Sequence, residues 1–528
     1  MALNRIAAGL LLAMGCGLGA QTHPVSVQVL AINDLHGNLE PPVGGDGRVN
    51  GVAAGGVEYL ATHLLAAEKD NPNSILVGAG DMFGASPLLS ALSDEKPTIE
   101  ALDAMHLAVN ALGNHELDRG PETLKTRLKG SHVEYLAANT VGGGRTLFPS
   151  TVVKTIGGVK VGFIGEMLET APSVISAQSI RGLRFLEESS VANEAAARLE
   201  REGVHTIVLL VHEGGFQHPP RGTQADPNGC VNFSGEIAEI AAKLSPSIKV
   251  VISAHTHSFY NCEIAGHIVT SASAYGRMFT RVDLSIDPKT DRLLSVKATN
   301  QVVTRDVAKD PAQTAIIAKY KPVVEKVSNQ TEGSIAGPIG RMENASGESA
   351  MGDLIADAQL AETSAPDKGG AVIAFMNSGG IRAELAGDAG PVTFGQLYAV
   401  QPFGNRLTVH TMTGAALKRL LEQQFSADGS AQILEVSDGF SYQYKVHAAA
   451  GEHIVPGSVK LHGKPIGDTD KLRIEASDFL AAGSGGLKAF REATDGMIGP
   501  VDVDALVDYF KTHSPVAAPA LNRIVRVD

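Results

Sequence analysis

From Val25 onward the chain alternates short apolar runs with longer amphipathic stretches, and this pattern limits the folds open to it. Residues 26–32 alternate like a strand, whereas residues 57–67 space their apolar side chains like a helix. Five further short apolar runs end in loops rich in Gly, Asp, Asn or His, at residues 74–77, 108–112, 159–164, 206–211 and 250–253. Strands alternating with helices predict a layered α/β domain whose functional groups lie on loops beyond the strand ends.

The second half of the chain repeats this organisation after a connector. Residues 282–286 and 293–297 flank a turn at Asp287 and predict a hairpin that closes the first domain, over 25–305. Residues 310–330 predict a helix, with Asp310 as N-cap and Pro311 at its first position, and Pro322 is expected to kink or divide it. We take 306–334 as the linker and 335–525 as a second α/β domain.

Composition excludes some classes of protein. Of the 528 residues, 44% are hydrophobic and 19% are charged, which is typical of globular domains rather than disordered chains. The formal net charge of −13 disfavours a groove that binds a nucleic acid polymer through its phosphates. A small anionic substrate stays possible, because a bound metal ion can outweigh the global charge.

The N-terminus predicts export. Arg5, an apolar run at residues 6–14 and small residues up to Ala20 fit a cleaved signal peptide over 1–20. Two alternatives stay open, a buried N-terminal helix and a lipid anchor at Cys16. No later run is long and apolar enough for a transmembrane helix. We therefore expect a periplasmic or secreted protein.

The cysteines agree with export. Removal of the signal peptide leaves Cys230 and Cys262. In an oxidising compartment an even pair predicts one disulfide, and two separate thiols are the alternative.

Metal-ligand residues follow the apolar runs of the first domain. Each residue alone is weak evidence for a metal site. A histidine at a strand end is usually a loop or core residue, Asp81 could cap a helix, and Asn114 could belong to a turn. Together they suggest a common centre. The candidates are Asp34, His36, Asp81, Asn114, His115, Asp118, His212, His255 and His257.

The chemistry of this set favours a dinuclear metal centre. Carboxylate, imidazole and amide groups without thiolate suit zinc, manganese or iron. Six or seven ligands exceed the four of a structural zinc site and fit two divalent ions, the arrangement used for in-line displacement at phosphorus.

The motifs DLHG, GD, GNHE, VHEG and AHTH, in this order and spacing, resemble the calcineurin-like metallophosphoesterases. GNHE followed by Leu117 and Asp118 is similar to the 5′-nucleotidase branch. In the second half, NSGGIR at 377–382, QPFGN at 401–405 and SDFLA at 477–481 are similar to segments of the same branch. The resemblance implies a four-layer β-sandwich flanked by helices, joined by a helix to a second α/β, substrate-binding domain.

The resemblance also implies residue roles. Asp34, His36 and His257 would bind one metal, Asn114, His212 and His255 would bind the other, and Asp81 would bridge them. His115 and Asp118 would form a catalytic pair, although His115 could merely neighbour a ligand. In the second domain Asn377, Arg382, Phe403, Asn405 and Phe479 would bind substrate, with the two phenylalanines stacking on a base. Core packing is the alternative for both rings.

Two positions and one segment depart from the family pattern. Gly485 stands where relatives carry an aspartate for the ribose hydroxyls, the segment 343–349 lacks arginines that relatives have there, and Ala254 replaces a glycine. The metal chemistry does not depend on these positions, whereas tight binding of a nucleoside monophosphate does depend on the first two.

The expected function is an exported phosphohydrolase that removes phosphate from nucleotides through metal-activated water. Alternatives are a cyclic-nucleotide phosphodiesterase, a UDP-sugar hydrolase or a phosphatase for other esters on the same fold. An exported binding protein without catalysis is a further alternative, which the intact ligand set and catalytic pair disfavour.

Overall fold

The computed structural model describes residues 23–176, 178–220, 222–426 and 431–528. The expected signal peptide, with Cys16, lies outside these residues. Among the described residues, no helix combines the length and apolar character needed to span a membrane.

A mixed six-stranded sheet forms one half of the first domain. Four neighbouring strands pair in parallel, and an antiparallel hairpin completes one edge. That hairpin confirms the one predicted around Asp287. In order across the sheet, the strands are Arg292–Val302, Met278–Asp287, Val25–Ile32, Ser74–Gly78, Leu107–Ala111 and Glu134–Leu136.

A second six-stranded sheet forms the other half. Its four central strands are parallel, and each outer strand is antiparallel to its neighbour. In order across the sheet, the strands are Phe259–Ile264, His267–Ala272, Ile248–Ile252, Ile207–His212, Val159–Met167 and Thr151–Ile156.

Alternating side chains produce four layers. Val27 and Val29 face the second sheet and pack with Val161 and Phe163, because successive side chains of a strand point to opposite faces. The outward faces are covered by helices, Val57–Asp70 and Lys96–Ala104 on the first sheet, and Glu188–Arg201 and Glu236–Lys243 on the second. The predicted sandwich flanked by helices is confirmed.

The connector is one helix, Pro311–Ser328. The Asp310 side chain accepts a hydrogen bond from the Gln313 backbone N–H (2.9 Å), as an N-cap does. The expected division of the helix at Pro322 is wrong. Pro322 lies on the exposed face, where water can solvate the carbonyl that loses its helical hydrogen bond.

The second domain contains a mixed five-stranded sheet with helices. Its strands, in order, are Leu434–Val436, Ile373–Asn377, Lys471–Ser477, Arg406–Thr413 and Thr494–Val501. Its longer helices are Ala350–Thr363, Phe394–Val400, Gly414–Glu422 and Asp502–His513. A smaller sheet contains Lys464–Pro465, Lys460–Leu461, Phe440–Tyr444 and Ile524–Arg526, and Thr331–Ile335 pairs with Gly390–Thr393. The predicted second α/β region is confirmed.

Shorter elements complete the described chain. The strands among them are Arg48–Val49, Val52–Ala53, Thr140–Gly142, Arg145–Thr146 and Leu183–Phe185, and the α-helices are Leu88–Ala91, Pro121–Arg127 and Asp478–Ala481. Single-turn 3-10 helices lie at Gly44–Gly47, His115–Leu117, Ala171–Ser173, Pro366–Lys368, Ser378–Gly380, Ser484–Gly486 and Lys488–Glu492.

Cys230 and Cys262 form a disulfide, as predicted, with their Cα atoms 5.1 Å apart. Cys230 lies on the loop that follows His212, and Cys262 lies on the strand Phe259–Ile264. The bond therefore ties that loop to the strand that follows the His255–His257 turn.

Candidate metal centre and active site

The candidate ligands of the first domain come together where the two sheets meet. Each lies at or just beyond the carboxyl end of a parallel strand, as Asp34 does after Val25–Ile32 and Asp81 after Ser74–Gly78. Because the sheets pack face to face, these loops converge at one edge of the sandwich. All seven residues predicted as ligands lie in this place.

Two groups of candidate ligands lie side by side. The ligand atoms of Asp34, His36 and His257 lie within 4.8 Å of one another, and so do those of Asp81, His212 and His255. Oxygen and nitrogen donors of this kind suit divalent first-row metals, so the residues fit the ions that the motifs imply.

Asp81 lies between the two groups. Its Oδ2 is 3.0 Å from His212 Nε2 and 3.6 Å from His36 Nε2. A carboxylate in this position can contact ions on both sides.

Asn114 completes the second group. Its Oδ1 is 3.1 Å from His212 Nε2 and 3.1 Å from His255 Nδ1. Three donor side chains, those of Asn114, His212 and His255, thus face one point.

Backbone carbonyls set the tautomers of two histidines. His36 Nδ1 donates to the Gly84 carbonyl (2.8 Å) and His212 Nδ1 donates to the Ala79 carbonyl (2.8 Å), since a carbonyl oxygen can only accept. The Nε2 atom of each ring therefore faces the centre, an arrangement that commonly orients metal-binding histidines.

Burial and neighbouring charges favour the ligand forms of most groups. Burial lowers the pKa of His257, and burial with the charge of His212 lowers the pKa of His255 to about 3. Burial alone would raise the pKa of Asp81, but the charges of His212 and His115 hold it well below its ordinary value. Despite burial, carboxylates raise the pKa of His212 to about 10, so a cation that binds there must displace its proton.

Five of the candidate ligand residues have a left-handed backbone. The φ angles are 48° at Asp34, 47° at His36, 52° at Asp81, 68° at His255 and 54° at His257. Non-glycine residues adopt this region at a cost, and such positions concentrate at functional sites.

The side chains of His115 and Asp118, which the sequence analysis predicts to be a catalytic pair, lie in hydrogen-bond contact. His115 Nδ1 lies 2.9 Å from Asp118 Oδ2, and the His115 backbone N–H donates to Asp81 Oδ1 (2.8 Å). Burial lowers the pKa of His115, but the carboxylates of Asp118 and Asp81 outweigh burial and raise it. A ligand atom of His115 also lies within 4.8 Å of those of His36 and Asp81, so geometry alone allows either a ligand or an acid–base role.

Glu116 organises the loops, a role that the sequence analysis missed. Its carboxylate accepts hydrogen bonds from the backbone N–H groups of Asp81 (2.9 Å), Met82 (2.8 Å) and Gly113 (2.9 Å). It thereby joins two ligand-bearing loops. Its position between His115 and Asp118 in the motif was the available signal.

Arg382 and Phe403 of the second domain reach the centre. The Phe403 ring stacks on His115 with centroids 5.5 Å apart and an interplanar angle of 29°. The Arg382 guanidinium carbon is 5.7 Å from the Phe403 centroid, and the buried Arg382 Nη2 has no hydrogen-bond partner in the part of the chain that the structure describes. An anion at this point would supply that partner.

The other residues predicted to bind substrate lie within the second domain. Asn377 ends the strand Ile373–Asn377, and Phe479 packs against the apolar cluster of that domain. Asn405 Nδ2 donates to Asp502 Oδ2 (3.2 Å), which leaves the side-chain amide oxygen of Asn405 for other partners. Gly485, with φ 66°, lies in the turn Ser484–Gly486, beside the turn Ala171–Ser173 of the first domain.

Family comparisons agree with this architecture. The calcineurin-like phosphoesterase family model matches residues 27–259, and the model of the 5′-nucleotidase C-terminal domain matches residues 327–492. The chain also has the fold of a 5′-nucleotidase precursor from Thermus thermophilus, with a TM-score of 0.80 and 23% identity over 96% of this chain and 100% of that chain.

Two curated proteins align over nearly the whole chain. Endonuclease YhcR of Bacillus subtilis is 30% identical over 543 residues, covering 96% of this chain but only 41% of that protein. Cell wall protein Lmo0130 of Listeria monocytogenes is 32% identical over 554 residues, covering 93% of this chain and 68% of that protein. Because both domains and their order match, the chain belongs to the 5′-nucleotidase family of calcineurin-like metallophosphoesterases.

Proposed function

We propose that this chain is an exported, dinuclear-metal phosphohydrolase that removes phosphate from nucleotides. The supporting observation is the convergence of two ligand groups on Asp81, beside the His115–Asp118 pair. Two divalent ions bound there would supply Lewis-acid charge and an acidified water molecule for attack at phosphorus.

Side chains of this protein would bind the phosphate and protonate the leaving group. Arg382 binds the phosphate through a charged fork. As the new bond from the water oxygen to phosphorus forms, the bond from phosphorus to the leaving oxygen breaks. His115 donates a proton to that oxygen, and Asp118 holds the imidazole in the required tautomer. The products are an alcohol and inorganic phosphate.

A nucleoside 5′-monophosphate is the substrate that we propose. Asn377 and Asn405 would hydrogen-bond to it, and Phe403 and Phe479 would offer aromatic faces for the base. Cyclic nucleotides, UDP-sugars and other phosphate esters are the alternative substrates.

We further propose a periplasmic or secreted location and no activity on nucleic acid polymers. The disulfide agrees with an oxidising compartment. The word endonuclease describes a relative of which more than half lies outside the match, so it does not carry over to this chain.

A substrate screen combined with metal analysis tests the proposal. The chain without residues 1–20 would be assayed with AMP, dAMP, ADP, cyclic nucleotides, UDP-glucose, glycerol phosphate and single-stranded DNA. We expect phosphate release from the monophosphates and about two divalent ions per chain.

Three results would contradict the proposal. Activity on glycerol phosphate alone would move the substrate to a non-nucleotide ester. Bound metal without turnover of any ester would favour a binding protein. A single bound ion in an active enzyme would exclude the dinuclear centre.

A further inference from the structure

We propose that Phe403 is a positioning residue for His115, so that the second domain completes the catalytic pair of the first. The inference rests on the proposed function, because it assigns His115 the proton donation described above. It gives Phe403 a role in the chemical step, in addition to any contact with a base.

Contacts around His115 support this assignment. The Asp118 carboxylate holds one edge of the imidazole through Nδ1 at 2.9 Å, which still allows the ring to swing about that hydrogen bond. The His36 ring meets the imidazole edge to face, with centroids 5.0 Å apart. The Phe403 ring, stacked at 5.5 Å, covers a face of the imidazole and limits the swing.

The loop that carries Phe403 is held on both sides. The Tyr398 hydroxyl donates to the Pro402 carbonyl (3.3 Å), and the Asn405 side chain donates to Asp502 Oδ2 (3.2 Å). The Asp502 backbone N–H donates in return to the Asn405 carbonyl (2.9 Å). A braced loop can hold the ring in place, which a positioning role requires.

Kinetics with three esters separate positioning from base stacking. AMP and ribose 5-phosphate share an alkoxide leaving group, but only AMP carries a base. p-Nitrophenyl phosphate releases a stable phenolate that needs no proton donor. A residue that acts through His115 should therefore matter for the first two esters and much less for the third.

The variants are Phe403→Leu and, as the conservative rescue, Phe403→Tyr. We expect Phe403→Leu to lower kcat about tenfold on both AMP and ribose 5-phosphate, with KM for ribose 5-phosphate changed by less than about twofold. kcat on p-nitrophenyl phosphate should stay within about threefold of wild type. Phe403→Tyr, which keeps the ring, should restore kcat, and bound metal should not change in either variant.

Phe425→Leu is the matched control. Phe425 stacks on His453 with centroids 4.2 Å apart and an interplanar angle of 7°, within the second domain and away from the ligands. Losing this phenylalanine–histidine stack should leave the kinetic constants for all three esters unchanged.

Two kinds of outcome would overturn the role proposed for Phe403. A higher KM for AMP with unchanged kcat on ribose 5-phosphate would make Phe403 a base platform only. Equal losses on all three esters, or loss of metal, would make its role structural. If wild type hydrolyses ribose 5-phosphate but not AMP, the proposed nucleotide substrate fails, while the comparison of ribose 5-phosphate with p-nitrophenyl phosphate still tests Phe403.

Discussion

Two adjacent residues, Asn114 and His115, face the same centre, but their side chains have different hydrogen-bond neighbours. The Asn114 amide oxygen faces two ligand histidines at 3.1 Å, whereas one nitrogen of His115 is committed to Asp118. An imidazole oriented by a carboxylate is a common arrangement for proton transfer. This difference supports the proposed roles, Asn114 as a ligand and His115 as the catalytic acid, and metal analysis of variants can test them.

His115→Ala should leave bound metal near the wild-type level and lower kcat by roughly 10²–10⁴, the usual contribution of a general acid–base group. Asp81→Ala should instead lose both bound metal and activity. Its carboxylate lies between the two groups of candidate ligands, so its removal should weaken metal binding on both sides. Metal analysis and steady-state kinetics on the same samples check both. Metal loss in His115→Ala would make His115 a ligand, which its position near His36 and Asp81 also allows.

Glu475 should make the second domain more stable at low pH. Its side chain is buried, and neither carboxylate oxygen has a hydrogen-bond partner among the described residues. Burial and the nearby Asp502 charge raise its pKa well above 4.5. A raised folded-state pKa contributes stability that is fully present below the unfolded pKa and is lost as pH rises through the folded pKa. The free energy of unfolding of Glu475→Gln relative to wild type should therefore increase from pH 5.5 to 7.5, by up to about 1.4 kcal/mol per pH unit.

Thermal and denaturant unfolding at the two pH values measure this difference. The exposed Glu452, changed to Gln, is the matched control and should show no such trend. A Glu475→Gln variant whose relative stability does not depend on pH would contradict a protonated, buried carboxyl.

At the scale of residues, the sequence predicted which polar side chains cluster. It did not predict their backbone conformation or the contacts between residues far apart in the chain. The clustering of Asp34, His36 and the His255–His257 pair could be predicted because these polar residues follow apolar runs. The left-handed backbone of these residues has no local signal, since tertiary hydrogen bonds such as that from the Tyr275 N–H to the Asp34 carbonyl (2.7 Å) help to impose it. The Phe403–His115 stack joins residues of two domains. Hydrophobic periodicity reports only local structure, so it could not predict this contact.

At the scale of elements, the short turn Ser484–Gly486 should control sugar preference. Gly485 has φ 66°. Among the described residues, a Cβ atom there would have two neighbours within 4 Å, Gln432 Oε1 at 3.8 Å and Leu487 Cδ1 at 3.9 Å. Aspartate tolerates the left-handed region better than most residues, so Gly485→Asp should fold at modest cost.

We expect wild type to hydrolyse AMP and dAMP within about tenfold in kcat/KM, because Gly485 offers no side chain to the ribose hydroxyls. Gly485→Asp should increase the preference for AMP through a charged hydrogen bond worth roughly 1.5–3 kcal/mol. Paired measurements of kcat/KM on the two nucleotides check this. A hundredfold preference for AMP in wild type would show that another residue binds the ribose.

The disulfide should stabilise the element pair that flanks the His255–His257 turn. A closed loop with a sequence separation of 32 residues contributes roughly 3–4 kcal/mol on a chain-entropy argument. Replacing both cysteines with serine should lower the unfolding free energy by about that amount. Mass analysis of the exported, unreduced chain should find no alkylatable thiol, and two such thiols would contradict the bond.

Strand prediction succeeded where apolar residues alternate along the chain and failed where they do not. The hairpin around Asp287 followed from its alternating apolar residues. The edge strand Thr494–Val501 has no such pattern, because Gly496, Gly499 and Pro500 lower strand propensity. An edge strand tolerates such residues, since one side of its backbone needs no partner strand.

At the scale of the whole molecule, ion pairs join the second domain and the connector to the first. Arg341 Nη2 donates to both oxygens of Asp46, at 2.7 and 2.8 Å, and Lys321 on the connecting helix donates to Glu40 at 2.8 Å. The Arg277 guanidinium lies 4.0 Å from Asp46 and also faces the Tyr275 ring. That ring lies 5.3 Å from the His257 ring, so the domain contact adjoins the ligand residues.

The Asp46–Arg341 pair should therefore couple the stabilities of the two domains measurably but weakly. Their side chains are 24% and 33% exposed, so water screens the pair and its coupling energy should be about 0.5–1 kcal/mol at low salt. A double-mutant cycle with Asp46→Ala, Arg341→Ala and the double variant measures this coupling as a shift of about 1–4 °C in thermal midpoint. The shift should shrink at 0.5 M NaCl. Purely additive effects of the two substitutions at low salt would mean that the pair does not contribute to holding the domains together.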